Sequence, residues 1–192
     1  MLRRLSLLTM VCTLAAAGVA RSTTVIPPSF DALVAEANTI FVGEVMNVRA
    51  DWESTPTGRA IITLVTFRVE NVWKGNLGAV TQLEFLGGEI GEIGMKVEGM
   101  PVFRLGQRDV LFVGNQVRAI SPLVGVMHGR MRVERDTVSG IDRVRTFDGR
   151  ALGSIAQLGP QRTERSLASV TPMRLTELES AVRARSGAAR QR

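Results

Sequence analysis

RAIITLVTFRVENVWKG, Arg59 to Gly75, is the stretch whose reading decides the fold. Its odd positions Ile61, Val65, Phe67, Val69 and Trp73 are apolar, and only Thr63 and Asn71 interrupt the series. A strand turns alternate side chains to opposite faces, so this run lays one apolar stripe on a core. Thr66, Arg68 and Glu70 face the other way. Ile62, Leu64 and Val72 share that second face, which predicts cover at its two ends. A strand of about fifteen residues, against a usual five or six, must bend strongly or serve two halves of a sheet. Both are properties of a barrel.

Upstream, Thr39 to Ala50 reads as a strand with Gly43 at a kink or bulge. The Pro, Gly, Ser and Thr of Asp51 to Gly58 predict a loop, so the two strands form an antiparallel hairpin. Downstream, Val80 to Leu86 is a third strand. Gly87 to Gln107 follows, a long excursion with six glycines and two successive Gly-Glu-Ile triplets. Ordering so many glycines is entropically costly, which suits an excursion beside the sheet better than a core strand. Arg108 to Val113 reads as a buried strand, and Ala119 to Val126 as another, broken at Pro122. Gly129 to Arg135 and Ile141 to Phe147 make a hairpin across residues 136 to 140. About seven strand segments favour a mainly β fold, a small antiparallel barrel or sandwich.

Two helices flank these strands. Ser29 caps the first, in which Phe30, Leu33, Val34 and Ala37 share a face. Residues 151–185 hold an irregular segment and then the second helix, capped by Thr171 with Pro172 in its first turn. Leu175, Leu178 and Val182 form its stripe, with Glu177 and Glu179 early and Arg183 and Arg185 late, as the helix dipole prefers. The basic end, 186–192, is expected to fray.

The chain begins MLRRLSLLTMVCTLAAAGVA, two arginines, a short apolar run and small residues. That is the pattern of a signal peptide over 1–20, cleaved before Arg21, and it implies an exported protein, periplasmic or extracellular. The apolar run falls short of the roughly 20 residues of a comfortable membrane span. Cleavage removes Cys12, the sole cysteine. The mature chain then has no disulfide and depends on its hydrophobic core, with 21–150 as the barrel domain. The net charge of +6 falls to about +4 without Arg3 and Arg4, too mild to argue for nucleic acid.

Catalytic chemistry is hard to place. The single histidine, His128, and the absence of mature cysteines leave no zinc ligand set. No Gly-x-Ser-x-Gly elbow exists, the glycine-rich stretch lacks a phosphate-binding turn, and Glu84, Glu89, Glu92 and Glu98 have no catalytic spacing. The expectation is therefore a monomeric, non-enzymatic protein without cofactor or metal. One feature is sharper: Arg130 and Arg132 alternate with Met131 and Val133, and Arg143 and Arg145 with Val144. If the strands pair, four arginines gather on one surface and attract anionic glycans, lipid phosphates or an acidic partner. Glu134 and Asp142 would partly neutralise them.

Three segments carry a family resemblance. Ala35 to Val45 (AEANTIFVGEV), Phe67 to Gly75 (FRVENVWKG) and Phe103 to Phe112 (FRLGQRDVLF) resemble, in order and spacing, netrin-module, TIMP-like OB-fold domains of exported bacterial proteins. The resemblance covers roughly residues 30 to 135. It implies a closed five-stranded Greek-key barrel with appended helices, and a binding role, in animals often the inhibition of zinc proteases. TIMP-type inhibition uses an N-terminal cysteine, whereas the expected mature start is Arg21-Ser22-Thr23-Thr24, so no inhibitory residue carries over. The resulting expectation is an exported binding module of open role; the second reading within binding is a partner for a secreted metalloprotease, as inhibitor or as folding and secretion companion. Contact would fall on the loops at 51–58 and 87–101, including Gly87, Gly88 and Glu89. The alternative is an anion-binding envelope protein that uses Arg130, Arg132, Arg143 and Arg145.

Overall fold

The computed structural model describes residues 26–56, 58–114, 120–160 and 170–189; the predicted signal peptide and cleavage site lie outside them. In chain order the elements are α1 (Phe30–Glu36), β1 (Ala37–Thr55), β2 (Gly58–Lys74), β3 (Val80–Leu86), β4 (Gly88–Ile90), β5 (Ile93–Met95), β6 (Arg108–Gly114), β7 (Arg130–Arg135), β8 (Asp142–Thr146), a 3-10 turn (Ile155–Gln157) and α2 (Leu175–Ala189). Six strands form one antiparallel sheet in the order β3-β2-β1-β6-β7-β8, and β4 and β5 form a separate ribbon.

The alternation in β2 holds. Ile61, Val65, Phe67 and Trp73 are buried, Val69 is half-buried, and on the second face Ile62 is buried while Leu64 and Val72 are half-buried. β1 is the long shared strand. It pairs with β2 along one side and with β6 along the other, and its register with β2 slips at three places, one of them between Val42 and Gly43. A Cβ at Gly43 would stand 2.9 Å from Phe41 Cε2 and 3.3 Å from the Arg68 carbonyl, so the bend there requires glycine.

Each face of the sheet carries its own core. On one, α1 and α2 place Phe30, Leu33, Leu178 and Val182 against Ile40, Val42, Phe112, Val133 and Val144. The Ser29 hydroxyl caps α1 by accepting from Ala32 N–H, and Lys74 Nζ donates to the Val34 carbonyl at its far end, 2.7 Å away. Partial burial there draws the Lys74 ammonium below its ordinary pKa. On the other face Phe41, Phe67, Phe85 and Leu111 pack under Phe103, which arrives from the segment before β6. Phe103 meets Phe67 edge-on at 5.5 Å and Phe85 at 4.9 Å.

Several expectations need correction. The sheet is open: β3 and β8 are its edges, and among the described residues no pairing joins them. The edge of β8 is already occupied, by Met173 O accepting from Val144 N–H and by bridges to Arg174 and Ala151, while Leu86 at the end of β3 bonds Ile120. The predicted loop at 51–58 is mostly strand, because β1 runs to Thr55 and β2 starts at Gly58. Its polar residues tolerate a strand because that part of the hairpin is largely solvated, with Arg59 stacked over Trp52. Within 120–126 only Leu123 makes a bridge; Gly125 and Val126, both at positive φ, turn the chain there. α2 begins at Leu175 rather than in the turn after Thr171, since Pro172 and Met173 are spent on the β8 edge. Glu177 instead caps it by accepting from Arg174 N–H at 3.0 Å. Ser186 to Ala189, expected to fray, are helical.

Replacing Phe67 with alanine should cost about 3–5 kcal/mol in urea unfolding, because it empties the middle of an aromatic cluster. Met46→Ala, at an exposed position on the neighbouring strand, should stay within about 0.5 kcal/mol. Similar losses at both positions would contradict the packing described.

Candidate functional site

The β7–β8 hairpin is held by its turn. Asp136 accepts from Ser139 N–H at 2.8 Å and from Val138 N–H at 3.0 Å, and the Gly140 N–H bonds the Asp136 carbonyl. The bonds from Ser139, then that from Val138, hold the Asp136 carboxyl below its usual pKa. The register sets Arg132 opposite Arg145 and Glu134 opposite Arg143. Arg130, Arg132, Arg143 and Arg145 therefore do share one sheet face.

They do not share one environment. Arg130 is 2% exposed and belongs to the interior. Its Nε and Nη2 donate to the two oxygens of Asp109, at 3.0 and 3.2 Å, and Nη1 donates to the Val102 carbonyl at 2.7 Å. Its guanidinium lies 4.3 Å from the centre of the Phe103 ring. Burial pushes the Asp109 carboxyl up, and Arg130 and then Arg132 oppose that shift. The exposed cluster expected from sequence thus loses one of its four members.

Arg143 donates to the Pro172 carbonyl at 2.7 Å and stands 3.6 Å from Asp136. Arg145 pairs with Glu134 and donates to the Gly149 carbonyl at 3.2 Å. Beside them opens a shallow cleft of about 310 Å³, bounded by the hairpin and by Thr171 and Pro172. On the opposite sheet face Arg108 clamps Glu70 of β2 and Asp142 of β8, at 2.8 and 2.9 Å. Its hydrogen bonds to Glu70 and then to Asp142 raise its pKa, so it stays charged and fixed.

The glycine-rich site residues separate in the same way. Gly87 is buried: its N–H bonds the Ile61 carbonyl at 2.7 Å and its carbonyl accepts from Thr63 Oγ1 at 2.6 Å. A Cβ at Gly88 would stand 2.6 Å from Thr63 Oγ1. The two glycines let the β4–β5 ribbon leave the sheet at close range; of the three, Glu89 is the exposed one. His128 lies in the turn before β7 with its ring edge-on to Phe147 at 5.0 Å. Among the described residues no group of three His, Cys, Asp or Glu is placed to hold a metal ion, and no helix is long and apolar enough to cross a membrane.

Sequence reasoning missed Asp109 and Phe103 as the partners of Arg130. The signal was present, since an acid inside the buried run Asp109-Val110-Leu111-Phe112 needs a basic partner. Comparison with protein families, with curated proteins and with solved structures gives no match for this chain.

Removing either partner of the buried pair alone, by Asp109→Leu or Arg130→Met, should cost about 3–5 kcal/mol in urea unfolding. Both together should recover much of that, to within about 2 kcal/mol of the parent, because neither member of the pair is then buried without the other. A double variant as unstable as the sum of the singles would refute the coupling.

Proposed function

We propose that the protein is an exported, non-enzymatic binding module, an open variant of an OB-like sheet, that engages a protein partner through its β1–β2 arm. The observation that carries this reading is the extent of β1. From Met46 to Thr55 its outer side has no strand partner among the described residues, while β2 pairs with it from Asn47 to Thr55. An unpaired edge on a well-supported strand is a template for adding an extended segment of another chain. Met46 and Val48 offer exposed apolar contacts along that edge. Register shifts that bend β1, and the Phe103 segment laid across one sheet face, support the OB-like reading.

The partner class is a secreted zinc protease, which the chain inhibits or accompanies in the periplasm or outside the cell. That choice rests on the resemblance of three segments to netrin-module, TIMP-like domains. Arm and ribbon take the place of the loops at 51–58 and 87–101 as the contact region. The protein acts as a monomer without a cofactor.

The test is complex formation between the purified protein and zinc proteases of the same exported fraction. Charged residues on the arm, Met46→Asp with Val48→Asp, should weaken the complex more than about tenfold, the loss of two buried apolar contacts. Val138→Asp, on the remote and fully solvated β7–β8 turn, should leave it unchanged. Arm variants that bind as well as the parent, or no protease complex at all, would overturn the reading.

A further inference from the structure

Arg132 stands out on the hairpin face. Arg130 has Asp109, Arg143 has Asp136 and a carbonyl, and Arg145 has Glu134 and a carbonyl. Arg132 makes no hydrogen bond or ion pair among the described residues, and its Nε is buried without a partner. The strand register explains why. Its neighbour across β6 is Asp109, which attracts its charge but takes its hydrogen bonds from the diagonal Arg130. Its neighbour across β8 is another guanidinium, Arg145. Like charges directly opposite on a sheet repel, and a half-buried guanidinium without acceptors is costly.

Both guanidiniums lean towards the turn at Gly149. Arg145 Nη1 donates to its carbonyl at 3.2 Å, and a Cβ built on Gly149 would lie 3.8 Å from Arg132 Nη1. Arg143 lies two residues along β8 from Arg145 on the same face, beside the cleft at Thr171 and Pro172. We propose that Arg132 and Arg145, with Arg143 beside them, form a binding site for a phosphate-class oxyanion, independent of any partner on the β1–β2 arm. A tetrahedral oxyanion has acceptors enough to serve two guanidiniums on adjacent strands, whereas one carboxylate satisfies a single fork. Glu134 competes for Arg145 and keeps the empty site tolerable.

The experiment titrates inorganic phosphate into the purified protein by calorimetry, with chloride at matched ionic strength as the reference. Saturable binding is expected. Arg132→Gln and Arg145→Gln should each weaken it about tenfold or more, as expected when a charge-assisted bond is lost. Arg68→Gln, an exposed arginine on β2, should not. Glu134→Gln should tighten binding about threefold or more, because it frees the second guanidinium. This gain decides the matter even if an arginine variant fails to fold. A second arm offers neutral vesicles with and without phosphatidic acid. Retention that inorganic phosphate displaces makes the source a lipid headgroup, and phosphate binding without retention makes it free phosphate; either upholds the site. Phosphate behaving as chloride does, or affinity indifferent to Arg132, Arg145 and Glu134, would overturn it.

Discussion

Asp109 and Arg130 meet in the interior, both almost wholly removed from solvent. Two charges taken out of water are tolerated only when their hydrogen bonds are satisfied, and here both carboxylate oxygens and three guanidinium nitrogens are engaged. The third nitrogen reaches the Val102 carbonyl, so the pair ties the irregular segment before β6 down onto the sheet. Phe103 is thereby held over Phe67 and Phe85, and the second core is closed. An open sheet would otherwise leave that face wet. The pair also decides the electrostatics of the β7–β8 hairpin, because it consumes the one acid that stands opposite Arg132.

The two faces of the sheet use different devices. Helices and aliphatic side chains cover one, and their alternation made them readable. A loop and a salt bridge cover the other. Glu44, Arg68, Glu70, Arg108 and Asp142 add a strip of alternating charge that links β1, β2, β6 and β8. Partly exposed pairs of this kind contribute about 0–1 kcal/mol each, so their value lies in setting register more than in stability.

Strand positions were legible where one face is buried and the other solvated, as in β2, β3, β7 and β8. Gly43 and the arginine hairpin were legible for the same reason. What escaped was governed by contacts distant in sequence. Asp51 to Thr55 has loop composition yet forms strand, because β2 supplies a partner and water accepts polar side chains on both faces. The start of α2 was misplaced because the β8 edge claims Pro172 and Met173. Arg130 looks like Arg132 in the sequence; only Asp109, twenty-one positions away, separates their fates. The closed barrel expected from the family resemblance gives way to an open sheet, in which the β8 edge is taken by Ala151, Met173 and Arg174 and the end of β3 by Ile120.

The central claim is that the segment before β6 is part of the cooperative fold, locked by Asp109 and Arg130. Native-state hydrogen exchange reads this directly, at the Gly106 N–H bonded to the Val45 carbonyl and the Val45 N–H bonded to the Gln107 carbonyl. In the unmodified protein both should exchange only through global unfolding, with the same free energy as the Phe112 amide in the centre of β6. Exchange at Gly106 and Val45 by local opening, orders of magnitude faster than at Phe112, would contradict it.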